Sequence, residues 1–307
     1  MARFDSPPAP FKLTAGRIAR IHAITMSNIT PFTQLACPLD GAPLRRTGAA
    51  WACPTGHSFD VASQGYIHLL PVQQKRSRDP GDSKEMVAAR RRFLEAGGYQ
   101  PIADAVSRAV LAEAAPQEPL ACLDAGCGEG YYLRRLAAGA APGRRLALLG
   151  LDISKWAVLS AAKQDRRVQW VVGSNANLPV RSATVDRLLC MFGFPVHGEF
   201  ARVLKPGGLL LRVDAGSDHL RELRELIYPS LKPERVLEIT APAGFARLDG
   251  ETVRFALNLE GGQQIADLLV MTPHLFRAGP QGRARVAALS TLALTVDVRL
   301  SRFVRLG

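Results

Sequence analysis

The sequence predicts an α/β fold, a Rossmann-like doubly wound parallel sheet preceded by a small cysteine-bearing module. Three observations carry that expectation. Short apolar runs at 120–124, 145–151, 168–172, 185–191 and 209–214 alternate with helical segments, the pattern of strands joined by crossover helices. The first run opens into Asp124-Ala125-Gly126-Cys127-Gly128-Glu129-Gly130, where glycine at every second position lets the backbone turn sharply and approach a ligand. Asp152 closes the second run, where a carboxylate can accept hydrogen bonds from the hydroxyls of a ribose.

The elements follow in order. Residues 1–34 are expected to be a disordered or mis-started extension, with prolines near the start, four basic residues (Arg3, Lys12, Arg17, Arg20) and one acid before residue 26. Met26 is a candidate initiator, and losing residues 1–25 would lower the formal charge from +12 to +9. Residues 35–72 form a small module of short strand-like pieces and turns (Asp40-Gly41, Pro54-Thr55-Gly56), too small to bury much by itself. Residues 73–98 are a polar linker, QQKRSRDPGDS, and a helix over 84–96 that Asp82-Ser83 can cap. The large domain, 99–307, begins with a helix over 102–114. The run Lys205-Pro206-Gly207-Gly208 stops a helix and feeds the fifth strand, and 255–259 with 292–298 are expected to close the sheet as an antiparallel pair.

Composition sets the class. With 307 residues, 47% of them apolar, the chain can fill a substantial core. No run approaches the ~20 apolar residues of a membrane helix, and MARFDSPPAPFKL lacks a secretory apolar stretch, so a cytoplasmic protein without a membrane partner is expected. Five cysteines are an odd number and do not resemble a disulfide framework. A net charge of +12 favours a polyanionic partner, nucleic acid above all, although a general enrichment in arginine would produce the same excess.

The glycine loop carries the chemistry. Dinucleotide sites space their glycines G-x-G-x-x-G and aim a helix N-terminus at a pyrophosphate, whereas this loop reads G-x-G-x-G and contains Glu129. A carboxylate suits an ammonium better than a phosphate, so Gly126, Gly128, Glu129, Gly130 and Asp152 are read as a site for S-adenosylmethionine. Tyr99, just before the domain, is a candidate cover for that cofactor, with a core tyrosine as the alternative. His219 follows the fifth strand, at the carboxyl end of the sheet where ligands of such folds bind. The rings of Met191-Phe192-Gly193-Phe194-Pro195 can hold a flat base or simply fill the core. Asp214 is a weak candidate for a general base.

Cys37-x2-Asp40 and Cys53-x3-His57, twelve residues apart, have the spacing of a zinc knuckle with one ligand changed. Two readings stand side by side: a structural zinc ion held in part by a carboxylate, or a metal-free knuckle that relies on Leu39, Trp51 and Phe59 for packing. His68, in an apolar stretch, is read as packing.

Together these pieces resemble the 23S rRNA (guanine-N1)-methyltransferase family. The resemblance runs from about Leu35 to the C-terminus and rests on the cysteine knuckle, GHSFDVASQGYIHLLPVQQKRSRDPGDS, EMVAARRRFLEAGGYQP, LDAGCGEGYY, DHLRELRELIY and VMTPHLFRA, in the family's order. It implies a class I S-adenosylmethionine-dependent methyltransferase domain behind a zinc-ribbon-like RNA-recognition module, acting on a guanine in a 23S rRNA hairpin. Cofactor contacts then fall on Tyr99, Gly128, Glu129 and His219, and zinc ligands on Cys37, Asp40, Cys53 and His57, with Asp40 where the family has cysteine. The linker is similar to that of the Gram-negative branch, which implies that branch's nucleotide target. MFGFP departs from the family's usual tyrosine-alanine-proline. Lys75, Arg76, Arg78 and Arg90–Arg92 are expected on RNA backbone, or as a solvated helix face, and a homodimer is carried as an open expectation. The rival readings are a methyltransferase acting on a small molecule or another RNA, and a noncatalytic ribosome-assembly factor.

Overall fold

The computed structural model describes residues 28–74, 77, 79–112, 119–231 and 240–307. Met26, Lys75, Arg76 and Arg78 lie outside the described residues.

The chain begins with β1 (Ile29–Thr30), then β2 (Arg45–Thr47), β3 (Ala50–Ala52), β4 (Ser58–Asp60) and β5 (Tyr66–His68). Helices α1 (Lys84–Glu95) and α2 (Gln100–Leu111) lead into β6 (Leu120–Ala125), α3 (Tyr131–Gly139), β7 (Leu146–Asp152), α4 (Lys155–Gln164), β8 (Gln169–Val172) and β9 (Val185–Met191). There follow α5 (His197–Val203), β10 (Leu204–Ala215), α6 (Arg221–Ile227), β11 (Phe245–Arg247) and β12 (Glu251–Glu260). The C-terminal part adds α7 (Gly262–Val270), α8 (His274–Arg277), α9 (Pro280–Ala287) and β13 (Thr291–Arg305).

One mixed sheet of ten strands organises the molecule, in the order β11-β13-β10-β9-β6-β7-β8-β5, with β1 alongside β7 and β12 alongside β13. Strands β5 to β10 run parallel, and β13 is antiparallel to β10, β11 and β12. The expected last pair is present, with Phe255 opposite Val296 and Leu259 opposite Leu292. From β6 the chain builds outward through β7 and β8 on one side and then returns to place β9 on the other, so the strand order reverses there and leaves a crevice beyond its carboxyl end. The glycine loop fills that position.

Alternation along the strands builds two cores. Cys122, Leu148, Trp170 and Leu211 face the side covered by α1–α3, whereas Leu123, Leu149, Val171 and Leu210 face α5 and the N-terminal module. Trp51 is buried there with Leu35, Ile67, Phe200 and Phe303, and Phe59 packs at its margin; Leu39, expected to pack, is instead 54% exposed.

Two expectations about the N-terminal part change. The extension drawn at 1–34 reaches too far: Ile29 and Thr30 pair with Leu146 and Ala147 at the start of β7, and Phe32 is buried in the core beneath the sheet. The small module is also less separate than its length suggests. Strands β2, β3 and β4 form their own antiparallel ribbon, but β5 joins the large sheet beside β8, with Ile67 opposite Val171.

Candidate functional site

The loop between β6 and α3 turns on glycines at positive φ: Gly126 at 99°, Gly128 at 55° and Gly130 at 83°. Their surroundings differ. A Cβ on Gly126 would meet nothing within 4 Å, and one on Gly128 would meet only the tip of Arg90, at 3.5 Å, so these two border open space where a ligand can approach. A Cβ on Gly130 would come within 2.4 Å of the Trp170 ring, so this glycine serves packing of α3 on the sheet.

Asp152 fastens the loop from the next strand. Its Oδ2 accepts the Gly128 N–H at 2.9 Å and its Oδ1 the Ser154 N–H at 2.8 Å, which aims the carboxylate at the crevice and leaves a lone pair on each oxygen for a hydroxyl. Burial raises its pKa, against those two N–H donors. The linker packs over this corner: Ser154 Oγ donates to the Asp82 carbonyl at 2.7 Å, and the Asp82 carboxylate pairs with Arg90.

Two acids stand at the loop, and their partners differ. Glu129 is buried, and its Oε2 accepts from both terminal nitrogens of Arg134 at 3.0 Å and from Gln164 at 2.9 Å. That oxygen is therefore engaged in holding α3 and α4, and the Glu129 carbonyl also accepts from Arg134 at 2.9 Å, whereas Oε1 is buried without a hydrogen-bond partner. Asp124, at the end of β6, is fully buried, and neither carboxylate oxygen has a hydrogen-bond partner. Burial, reinforced by the charge of Asp152, pushes its pKa up to about 8. A buried carboxylate with no donor is costly, and a cationic ligand group beside it would remove the cost. The amino group of S-adenosylmethionine has that chemistry, so the crevice fits the cofactor. A carboxylate interrupting a strand that is otherwise buried and apolar was the signal for it.

Tyr99 and His219 meet, although 120 residues separate them. The Tyr99 hydroxyl lies 3.2 Å from His219 Nε2, and His219 Nδ1 accepts the Asp297 N–H at 3.3 Å. With Nδ1 an acceptor, the neutral ring carries its proton on Nε2 and donates to Tyr99, whose own O–H is left for a ligand. Burial pushes the His219 pKa down to about 4, and burial raises that of Tyr99. Phe192, from the end of β9, completes the cluster, its ring 5.8 Å from that of His219 and 6.0 Å from that of Tyr99. Phe192 was weighed in the sequence only as one ring among several.

The arginines of α1, expected on RNA, have partners within the protein. Arg90 also donates to the Met271 carbonyl at 3.0 Å, and Arg92 pairs with the buried Asp267 at 2.6 Å. Arg91 is half-exposed, 3.7 Å from Glu95 on its own helix. Asp214 pairs with Arg212 at 2.9 Å.

On the opposite core, Cys37, Asp40, Cys53 and His57 converge, with their ligand atoms all within 4.8 Å of one another. His57 Nδ1 is 3.5 Å from Cys37 Sγ, 3.4 Å from Cys53 Sγ and 3.1 Å from Asp40 Oδ2, and Cys53 Sγ is 3.5 Å from the same oxygen. Ligands about 2.0–2.3 Å from a tetrahedral zinc stand about 3.3–3.8 Å apart, so these atoms lie close to the edges of such a polyhedron. Two thiolates, an imidazole and a carboxylate are donors zinc accepts, and the residues fit the metal. Thr55, which the spacing did not mark, donates its hydroxyl to Asp40, and that bond, followed by the Ala42 N–H, holds the Asp40 carboxyl well below the ordinary range.

Among the described residues no helix is long and apolar enough to cross a membrane. Residues 35–78 match the family profile described as "RlmA, N-terminal", a zinc ribbon, and residues 122–208 match that of the "Methyltransferase domain". A protein of Micromonospora griseorubida assigned as a 23S rRNA (guanine-N1)-methyltransferase is 38% identical, over 88% of this chain and 96% of its own. One of Bacillus subtilis strain 168 with the same assignment is 31% identical, over 89% and 98%. The 23S rRNA (guanine(748)-N(1))-methyltransferase of Streptomyces fradiae is 32% identical, over 82% and 89%. With relatives of 31–38% identity over most of its length, and both profiles matched, the chain belongs to the 23S rRNA (guanine-N1)-methyltransferase family, an S-adenosylmethionine-dependent methyltransferase domain joined to a zinc ribbon.

Proposed function

We propose that the protein transfers a methyl group from S-adenosylmethionine to N1 of a guanine in a hairpin of 23S rRNA. The observation that carries this reading is the joining of ribbon and crevice: β5, at the end of the ribbon segment, pairs with β8 in the same sheet whose next strands, β7 and β6, carry Asp152 and the glycine loop. An RNA gripped by the ribbon is then held in fixed relation to the methyl donor. Names of the relatives point to the same substrate.

In this reading residues 35–72 recognise RNA, 73–98 connect, and 99–307 carry out transfer, in the cytoplasm, where free thiols such as those of all five cysteines persist. Tyr99, Gly126, Gly128, Glu129, Asp152 and His219 form the cofactor site, Gly130 completes its loop by letting α3 pack on Trp170, and Asp124 receives the ammonium. Cys37, Asp40, Cys53 and His57 hold a structural zinc ion. Bound S-adenosylmethionine supplies an electrophilic methyl on sulfur. The chain's own work is to align guanine N1 with the sulfur–methyl bond and to keep water from between them; the nitrogen–carbon bond replaces the sulfur–carbon bond, whose electron pair stays on sulfur, and the N1 proton passes to water at the mouth of the site. The guanine must leave its stack to present that edge.

The test is transfer of labelled methyl to deproteinised 23S rRNA from a strain lacking the protein, followed by primer extension. The expected result is incorporation and a single stop at one guanine. The linker QQKRSRDPGDS makes the guanine of the Gram-negative branch the expected position; a stop at the nucleotide in the Streptomyces fradiae relative's name would overturn that detail, and no incorporation would overturn the reading.

A further inference from the structure

Three non-glycine residues among those described have positive φ: Ala183, Phe192 at 53° and Leu220 at 52°. Two of them flank the cofactor crevice, since Leu220 follows His219 and Phe192 stacks on it. A side chain in this region of φ is disfavoured, and where such strain persists the surroundings enforce it, commonly beside a site that uses it. Here the enforcement is visible: the Phe192 N–H donates to the Val213 carbonyl at 2.8 Å, prolonging the β9–β10 ladder by one bond while the left-handed turn redirects the chain. The next residue, Gly193, follows tightly, for a Cβ there would meet Cys190 Sγ at 3.3 Å.

The Phe192 ring is held on one side and open elsewhere. It lies nearly parallel to the His219 ring, 29° between planes, and at 32° to Tyr99, yet it remains 40% exposed, and Phe194 two residues on is 91% exposed. A core phenylalanine would be covered. An aromatic face kept open beside the end of the crevice is what an unstacked base requires, because stacking on a ring replaces the neighbours the base leaves behind.

We infer that Phe192 is the platform on which the target guanine stacks, next to the methyl donor. The inference rests on the guanine-N1 reading above and adds to it the residue that receives the base. Phe192 then acts through substrate contact, and the His219 and Tyr99 rings beneath it tie the base platform to the cofactor side.

The experiment compares Phe192→Leu, which keeps apolar bulk, with Phe192→Tyr, which keeps an aromatic face. Steady-state methylation of a hairpin RNA is measured with donor affinity by calorimetry and thermal melting as controls. For Phe192→Leu the expected result is a loss of about ten- to hundredfold in kcat/KM for RNA, the range that base–aromatic stacking implies, with donor affinity within about twofold and Phe192→Tyr within about threefold of wild type. Should the leucine variant melt early, Phe192→Met provides the same comparison. Wild-type activity retained in the non-aromatic variants overturns the inference alone. So does a loss of donor affinity equal to the loss of activity, which would make the ring part of the cofactor site. A wild-type protein that methylates no guanine overturns the underlying reading, and this inference with it.

Discussion

Asp124 shows how one buried residue can register a ligand. Its carboxylate lies in the wall of the crevice with no donor, and burial pushes its pKa up to about 8. That is above the ~3.9 of an unfolded chain, so the folded protein binds the extra proton. Stability from this group is therefore fully present below about pH 4 and is lost as pH rises toward about 8. Ligand-free wild type is expected to lose urea resistance between about pH 5 and about pH 8 relative to Asp124→Asn, and the difference should shrink when donor is bound. The same substitution should weaken donor binding by about ten- to hundredfold in calorimetry without lowering the melting temperature at about pH 8, since it removes an unpaired buried charge. An early-melting asparagine variant would contradict the assignment. Spacing alone did not show how the two acids are partnered: Glu129 Oε2 is claimed by Arg134 and by Gln164 of α4, a tertiary fact that no local pattern carries. Gly130 makes the same point. It reads as part of a ligand loop, but its missing Cβ makes room for Trp170, so Gly130→Ala, which adds a clash to its positive φ, should lower the melting temperature by several degrees, whereas Gly126→Ala, strained by φ alone and facing open space, should lower it less and weaken donor affinity as well.

At the level of elements, legibility followed periodicity. The strands β6 to β10 and the pair β12–β13 announce themselves as apolar runs of ordinary strand length, and α1 begins where Ser83 accepts the Met86 N–H at 3.2 Å. Strands β1 and β5 are two and three residues long, too short to show a period, and both are defined by the strand they join rather than by their own sequence. The metal cage lay between these extremes. Its four candidate ligands were legible from spacing, while Thr55 became part of the cluster only through the turn that brings its hydroxyl to Asp40. A carboxylate is a harder ligand than a thiolate, so Asp40 should make zinc easier to remove than in a three-cysteine ribbon. Asp40→Cys is expected to slow zinc release to a competing chelator by about tenfold or more. Stripping the metal from wild type should abolish RNA methylation yet leave donor binding, because β5 is held to β8 by the sheet and the glycine loop lies on other strands. Identical release rates for the two proteins would mean that Asp40 is not a ligand.

For the whole molecule the question is where a charge of +12 acts. Several conspicuous arginines are committed internally: Arg90 to Asp82, Arg92 to Asp267, Arg134 to Glu129 and Arg202 to Glu199. They stabilise the fold and have little left for a polyanion. This is why the basic run on α1, which resembles an RNA-gripping surface in the sequence, is instead a seam between α1, the linker and α7. Arg45 and Arg46 differ, since all three residues of β2 are exposed on the outer strand of the ribbon. If the ribbon faces RNA, each arginine there displaces condensed counterions, and log affinity falls with log salt by about 0.7–0.9 per phosphate contacted. Replacing Arg45 and Arg46 together by glutamate should flatten that slope by about 1.4–1.8 and weaken binding of a 23S rRNA hairpin several-fold or more at about 0.1 M salt, with donor affinity unchanged. Arg92→Glu serves as the contrast: it leaves the buried Asp267 facing a like charge, so it should lower stability and change the salt slope little. Filter binding across a salt series separates the two, and a slope untouched by the Arg45/Arg46 replacement would place the RNA on another face of the protein.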